Sequence, residues 1–256
     1  MNKPQLIIAA QTEAKVPGET NNQDAIHVRV WEAEKQSFCG LFIVADGVGG
    51  HKKGSLASQT AVETIDTLID AIRPNIPSDT TRGTQFLQTN LEQAVAAANE
   101  TILDYAQTQN IRMGSTVTCA LVYGMQAIIA NIGDSRTYLH RGGRLEQITV
   151  DHSVVAWMVR QGHLSAEEAK NHPYSNIIMH ALGADETPEM DIFIRTLRPG
   201  DKLLLCSDGI WDTLSDEALA EQLNMVATPE TAVSHIMPAA QDHSDDLSLI
   251  IVQIPS

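Results

Sequence analysis

The sequence predicts an α/β sandwich in which β-sheets lie inside and α-helices lie outside. Three observations lead to this fold class: short apolar runs typical of strands, two amphipathic helical segments, and glycine-containing turns between elements. Runs of strands that alternate with paired helices favour a layered architecture of this kind. The 256 residues contain no Pro/Ser-rich linker, low-complexity tract or internal repeat. Although length alone would allow two domains, we therefore expect a single domain over residues 1–256.

The individual elements follow from the spacing of the apolar side chains. Strands are expected at residues 27–30, 41–45, 115–148, 191–195, 202–207 and 247–254, the third range containing several strands. Within that third range, Gly142 and Gly143 predict a hairpin turn. Helices are expected at residues 61–72 and 87–105, where apolar side chains recur at helical spacing. Residues 153–190 are expected to form short helices and irregular structure.

Composition and charge exclude several classes of function. The formal net charge of −15 argues against nucleic acid or an anionic membrane surface as a partner. No apolar stretch approaches the ~18 residues of a membrane span, and Leu6–Ala10 is too short for the core of a signal peptide. Cys39, Cys119 and Cys206 lie in or beside apolar strands, where we expect buried free thiols. These features predict a cytoplasmic protein.

Acidic side chains stand at the boundaries of several predicted strands. They are Asp24, Asp46, Asp134, Asp208 and Asp245. Any one of them alone would most simply be a solvated turn residue, but a sheet brings its strand ends together, so several are expected to meet. The glycines after Asp46 let the backbone bend sharply and bring a carbonyl oxygen close to a ligand. Carboxylate and carbonyl oxygens suit the hard cations Mg²⁺ and Mn²⁺.

Eight short motifs follow one another along the chain. They are Asn-Gln-Asp (22–24), Asp-Gly-Val-Gly-Gly-His (46–51), Gly-Ser-Thr (114–116), Gly-Asp-Ser-Arg (133–136), Asp-His-Ser (151–153), Ala-Leu-Gly (181–183), Ser-Asp-Gly (207–209) and Asp-Asp-Leu-Ser (245–248). In this order they resemble the metal-dependent Ser/Thr protein phosphatases of type 2C, in their compact bacterial form. The resemblance implies two central antiparallel sheets flanked by pairs of helices, with a variable flap near residues 153–190. It also implies hydrolysis of phosphoserine and phosphothreonine in proteins by a water that bridges two metal ions.

The resemblance further implies a metal-binding role for five residues. Asp46 would bridge two tightly bound Mn²⁺ or Mg²⁺ ions. Asp208 and Asp245 would complete one of the two sites, and the carbonyl of Gly47 would help at the other. Asp134 would hold a weaker third ion, sharing the carboxylate of Asp208.

Two residues are candidates for a catalytic role. By the resemblance, Asp24 supports metal-bound waters. Many eukaryotic members of the family carry a proposed general-acid histidine at the position of Val48, whereas bacterial members commonly lack it. His51 is the nearest imidazole, and it either protonates the leaving serine or threonine oxygen or braces the turn as a structural residue. His152 is expected to fix a turn.

The chain departs from the family's pattern at two further positions. The family commonly has a phosphate-gripping arginine where this chain has Glu19. An acidic side chain cannot bind a phosphate dianion as arginine does, so Lys15, Lys52 and Lys53 become candidates for that contact. The family usually has asparagine at the position of Asp246. We expect the extra negative charge there to tighten metal binding or to shift the pKa of metal-bound water.

Rival classes of enzyme can be tested against the same sequence. A cysteine-based phosphatase needs an arginine six positions after its cysteine, and none of the three cysteines has one. No Gly-x-x-x-x-Gly-Lys-Ser/Thr loop is present, which excludes a P-loop nucleotide hydrolase. The serious alternative is a non-catalytic binding or sensor module on the phosphatase fold, motivated by Glu19. Retention of the metal-ligand positions favours the enzyme, a monomer that acts on phosphorylated proteins and opposes a Ser/Thr kinase.

Overall fold

The computed structural model describes residues 5–15, 22–31, 38–48, 52–241 and 245–255. The strands in these ranges are β1 (Ile7–Glu13), β2 (Asp24–Trp31), β3 (Cys39–Val48), β4 (Gly114–Ser115), β5 (Val117–Tyr123), β6 (Gln126–Ile132), β7 (Arg136–Arg141), β8 (Arg144–Gln147), β9 (Asp191–Thr196), β10 (Lys202–Cys206) and β11 (Leu247–Gln253). The helices are α1 (Lys52–Ile72), α2 (Thr80–Gln109), α3 (Val154–Arg160), α4 (Ala166–Lys170), α5 (Asp208–Trp211), α6 (Asp216–Met225) and α7 (Pro229–Ala239). A short 3-10 turn follows α1 at Arg73–Asn75.

The strands form two sheets, and each pair of neighbouring strands is antiparallel. The first sheet has the order β1-β11-β10-β7-β8. The second has the order β2-β3-β5-β6-β9, and β4 pairs with β3 beside it. The predicted sandwich of two antiparallel sheets with helices outside is confirmed.

Strand β3 shows why its sequence is apolar without interruption. Phe42 and Val44 face the first sheet and pack between the two sheets. Leu41 and Ile43 face the other way and pack beneath α1 and α2. Because successive side chains point to opposite faces and both faces are covered, the whole run must be apolar.

Helices cover the outer face of each sheet. Ile65 of α1 and Leu91 of α2 are fully buried against the second sheet. Leu219 of α6 and Ile236 of α7 are fully buried against the first sheet. Three apolar layers therefore hold the sandwich together: one between the sheets and one beneath each pair of helices.

Both predicted helices are confirmed, and both extend beyond the predicted ranges. Helix α2 begins where the side chain of Asp79 accepts a hydrogen bond from the backbone N–H of Arg82, which satisfies one free donor of the first turn. It ends at Asn110, which adopts the left-handed conformation (φ 50°) that commonly terminates helices. Apolar periodicity detects only the turns that pack on the sheet, so the polar first turns of both helices were missed.

Other local predictions have mixed outcomes. The Gly142–Gly143 hairpin between β7 and β8 is confirmed, with φ values of 56° and 82° that suit glycine. The three cysteines are buried and free, as predicted, and burial raises the pKa of the Cys39 and Cys119 thiols to about 12. Strand β1, an edge strand that pairs with β11, was not predicted. In the ranges that the structure describes, no helix is long and apolar enough to cross a membrane.

Candidate active site

One half of the site lies where β2 and β3 meet. The strand register places Asp24, the first residue of β2, directly opposite Asp46 near the end of β3. Asp24 is buried, and its Oδ2 accepts a hydrogen bond of 2.7 Å from Oγ of Ser207. Ser207 directly follows β10, a strand of the other sheet. This bond joins the two sheets at the site.

The backbone of Asp46 is fixed by the Gly-Ser-Thr motif. Its N–H donates to Oγ1 of Thr116 at 3.0 Å, and its carbonyl accepts from the Thr116 N–H at 2.8 Å. Oγ of Ser115 donates to the same carbonyl at 3.0 Å. None of these bonds uses the Asp46 carboxylate. The weak sequence motif at 114–116 thus has a defined task, which is to position the backbone that carries this carboxylate.

Gly47 lies against the backbone of α1. Its N–H donates to the carbonyl of Gln23 at 3.0 Å. A Cβ atom at this position would lie 2.1 Å from the carbonyl oxygen of Gly54, and one at Gly54 would lie 2.5 Å from the carbonyl oxygen of Gly47. Both residues must therefore be glycine, because any side chain would separate the acidic turn from the helix that follows it.

The other half of the site lies where β7 starts and β10 ends. Arg136, the first residue of β7, pairs with Cys206, the last residue of β10, and Asp134 and Asp208 lie two residues beyond that pair, outside the two strands. Asp134 is buried, whereas Asp208 is partly exposed at the start of α5. Ser207, beside Asp208, donates its N–H to the carbonyl of Ser248 at 3.0 Å, which brings the start of β11 to the same place.

Asp245 and Asp246 immediately precede β11. The N–H of Asp246 donates to Oδ1 of Asp245 at 2.9 Å. The Asp246 carboxylate is buried and accepts two backbone N–H groups, from Lys15 and from Gln23, each at 2.7 Å. Asp246 was expected to act on the metal through its charge, and these two hydrogen bonds from backbone N–H groups were not predicted.

The predicted site residues influence one another electrostatically. Burial, followed by repulsion from Asp24, Asp208, Asp134 and Asp245, raises the pKa of Asp46 well above its usual range. Burial and repulsion from Asp134 and Asp245 do the same for the pKa of Asp208. Burial raises the pKa values of Asp24 and Asp134 to about 7. The five carboxylates therefore share one neighbourhood, in which a positive charge would favour their ionised forms.

The donor atoms fit a hard divalent cation. Each candidate ligand offers oxygen, the donor that Mg²⁺ and Mn²⁺ prefer. Oδ1 of Asp208 is buried and has no hydrogen-bond partner among the described residues, which is costly for a carboxylate unless a ligand satisfies it. In the same ranges, no three His, Cys, Asp or Glu side chains are already arranged at metal-binding distances. The structure thus assembles the right oxygens without closing them into a coordination shell.

The turn that carries Asp134 is braced by His152. Gly133 adopts φ 99° and donates its N–H to Nδ1 of His152 at 3.3 Å, while the His152 N–H donates to the carbonyl of Gly133 at 2.9 Å. Because Nδ1 accepts, the ring proton lies on Nε2, which is 3.2 Å from Oδ2 of Asp191. The prediction that His152 fixes a turn is confirmed.

Arg136, the last residue of the Gly-Asp-Ser-Arg motif, is engaged within the protein. Its guanidinium group binds the carboxylate of Asp151, with a shortest distance of 2.7 Å, and also donates to the hydroxyl of Tyr138. It lies 3.5 Å from the centre of the Trp211 ring. These contacts make Arg136 a structural cation rather than a substitute for the missing phosphate-binding arginine.

The sequence predictions for His51, for Glu19 and for the side chain of Lys52 fall outside the part of the chain that the structure describes. All three therefore stay predictions. Sequence reasoning missed Ser207 as the link between the sheets and Asp246 as a backbone acceptor. The sequence signal for these residues was that each belongs to a short motif. Their hydrogen-bond partners could not be predicted, because those partners are remote along the chain.

Comparison with known proteins identifies the family and agrees with the fold. Residues 14–243 match the family model of protein phosphatase 2C. The serine/threonine phosphatase stp of Listeria innocua is 34% identical over 217 residues, which cover 83% of this chain and 84% of that protein. The crystal structure of the serine/threonine phosphatase Stp1 from Staphylococcus aureus has a TM-score of 0.84 at 30% identity and covers 100% of this chain and 98% of that one. The catalytic domain of PstP, solved in complex with two manganese ions, has a TM-score of 0.80 at 30% identity, covering 98% of this chain and 99% of that one.

Proposed function

Because this chain belongs to the protein phosphatase 2C family, we propose that it hydrolyses phosphoserine and phosphothreonine in proteins in a metal-dependent reaction. The observation that carries the proposal is the gathering of acidic side chains at the strand ends of both sheets: Asp24 lies opposite Asp46 in the strand register and is joined by a hydrogen bond to Ser207, next to Asp208. A binding or sensor module would not need these costly, mutually repelling groups. The catalytic interpretation is therefore favoured over the non-catalytic one.

The oxygen-only set of donors supports a pair of Mn²⁺ or Mg²⁺ ions. When bound, such ions neutralise charge on the phosphoryl oxygens and lower the pKa of an attacking water. Asp46 would help to hold both ions, Asp208 and Asp245 would help to hold one of them, and the Gly47 carbonyl would help to hold the other. Asp134 would hold a weaker third ion.

The chain's own groups hold this arrangement in place. Asp24 is buried opposite Asp46 in the strand register, and its carboxylate accepts a hydrogen bond from Ser207. By the family resemblance, we assign Asp24 to orienting water rather than to binding metal directly. His51 remains a candidate proton donor to the leaving oxygen.

The test is hydrolysis of p-nitrophenyl phosphate and of a phosphothreonine peptide by the purified protein with Mn²⁺. We expect turnover of both substrates and release of inorganic phosphate. The site variant Asp46→Asn should lose this turnover. Its matched control is Asp201→Asn, because Asp201 is a buried aspartate just before β10, at the end of that strand that lies away from the site. A folded protein that binds the phosphopeptide without hydrolysing it would instead establish the non-catalytic module.

Further properties belong to the same proposal. The substrates are phosphorylated proteins, and a Ser/Thr kinase supplies the opposing reaction, since a phosphatase needs a source of its substrate. We infer that the protein acts in the cytoplasm, because its buried free thiols suit a reducing compartment. We also propose that it acts as a monomer. The physiological metal is Mn²⁺ or Mg²⁺, both of which suit oxygen ligands.

Glu19→Arg tests the missing phosphate contact. Arginine is a planar donor suited to phosphate, so we expect a lower KM for small phosphomonoesters, with kcat changed less. A charge-assisted contact is worth roughly 1.5–3 kcal/mol at best, and in a partly solvated cleft we expect the lower end of that range, a gain of about tenfold. Steady-state kinetics measure both constants, with Glu19→Gln as the control for loss of negative charge alone. An unchanged KM would move the search to Lys15, Lys52 and Lys53.

A further inference from the structure

Asp246 receives two backbone hydrogen bonds from parts of the chain that lie far from it in sequence. Oδ1 accepts the N–H of Lys15 and Oδ2 accepts the N–H of Gln23, both at 2.7 Å. The side chain is 2% exposed, so neither bond is exchanged freely for one to water. Hydrogen bonds from backbone N–H groups to a buried carboxylate are among the strong ones in proteins.

The chemistry of these two bonds requires a carboxylate. An ionised aspartate offers two acceptor oxygens, whereas asparagine offers one oxygen and one NH₂ donor. An asparagine here would turn its NH₂ group towards one of the two N–H groups, leaving that buried donor without an acceptor. The two backbone N–H groups that face this position therefore give a geometric reason for aspartate where the family usually has asparagine.

Gln23 transmits this contact to one half of the site. It directly precedes Asp24, and its carbonyl accepts the N–H of Gly47 at 3.0 Å and Oγ of Ser58 at 2.6 Å. A shift of the backbone at Gln23 would therefore move both an assigned metal ligand and the residue that supports it.

The backbone of Asp246 contacts the other half. Its N–H donates to Oδ1 of Asp245 at 2.9 Å. Its carbonyl oxygen packs so closely on Gly209 that a Cβ atom there would lie 2.2 Å away. Gly209 follows Asp208, so Asp246 adjoins both assigned ligands on this side.

We propose that Asp246 is a positioning residue whose carboxylate ties the backbone of Lys15 and Gln23 to the start of β11. In this way it fixes the position of one half of the site relative to the other. The expected effect of Asp246 on metal binding depends on the proposed function, whereas the expected protection of the two backbone amides does not.

Amide hydrogen exchange, followed residue by residue by NMR, tests the contact directly. In the unmodified protein, the Lys15 and Gln23 amides are expected to be protected. In Asp246→Asn, at least one of them is expected to exchange about tenfold faster or more. Asp201→Asn is the control, because Asp201 is also 2% exposed and its carboxylate likewise accepts a backbone N–H, that of Arg198, at 2.7 Å, in addition to its ion pair with Arg141.

Calorimetry with Mn²⁺ alone measures the consequence for the site. We expect about tenfold weaker binding in Asp246→Asn, as for other residues that orient metal ligands, and unchanged binding in Asp201→Asn. Weaker Mn²⁺ binding with both amides still protected would show that Asp246 acts by charge and would overturn the proposal. Rapid exchange of both amides in the unmodified protein would overturn it without any variant, even if Asp246→Asn does not fold.

Discussion

Asp46→Asn is expected to lower kcat by ~10²–10⁴-fold or more. In our assignment one carboxylate serves both tightly bound ions, so a neutral amide weakens both sites at once. The hydrogen bonds that join the backbone of Asp46 to Thr116 and Ser115 do not involve its carboxylate. The variant should therefore fold, and the loss should arise at the site. Steady-state kinetics with p-nitrophenyl phosphate and calorimetry with Mn²⁺ measure the two effects separately.

Asp134→Asn is the matched comparison for Asp46→Asn. Both are aspartates whose pKa values are raised by burial and by neighbouring acidic groups. Asp134 is assigned only to the weaker third ion, so its replacement should spare the two tight sites while lowering turnover. If Asp46→Asn retained two unaltered Mn²⁺ sites by calorimetry, the bridging assignment would be refuted.

Removal of metal is expected to abolish activity. Treatment with EDTA should stop hydrolysis, and added Mn²⁺ should restore it, because phosphate-monoester hydrolysis is very slow without strong stabilisation of charge. The apolar layers of the fold involve none of the assigned ligands, so circular dichroism should change little on chelation. Binding of cations to the folded state alone should raise Tm when Mn²⁺ is returned. Full turnover by a verified metal-free preparation would contradict the mechanism.

Several elements of the fold could be predicted because their signal is local. The uninterrupted apolar run of β3, the helical spacing in α1 and α2, and the Gly142–Gly143 turn each act through neighbouring residues. Strand β1 escaped prediction because an edge strand is stabilised by its pairing partner, and β11 lies at the other end of the chain. Burial along β1 is only partial, so its sequence carries no strong apolar pattern.

The chemistry of this protein can be deduced from its sequence: which acidic residues stand at strand boundaries, that their donors are oxygen, and that no reactive cysteine or phosphate-binding loop competes with them. These properties reside in single side chains and their immediate neighbours. Which of these groups meet depends on how the chain packs. The Ser207–Asp24 bond spans 183 positions, and the Asp246 contacts with Lys15 and Gln23 span 231 and 223. Such contacts depend on how two sheets pack, because only the shared apolar layer between them brings distant strand ends to one place.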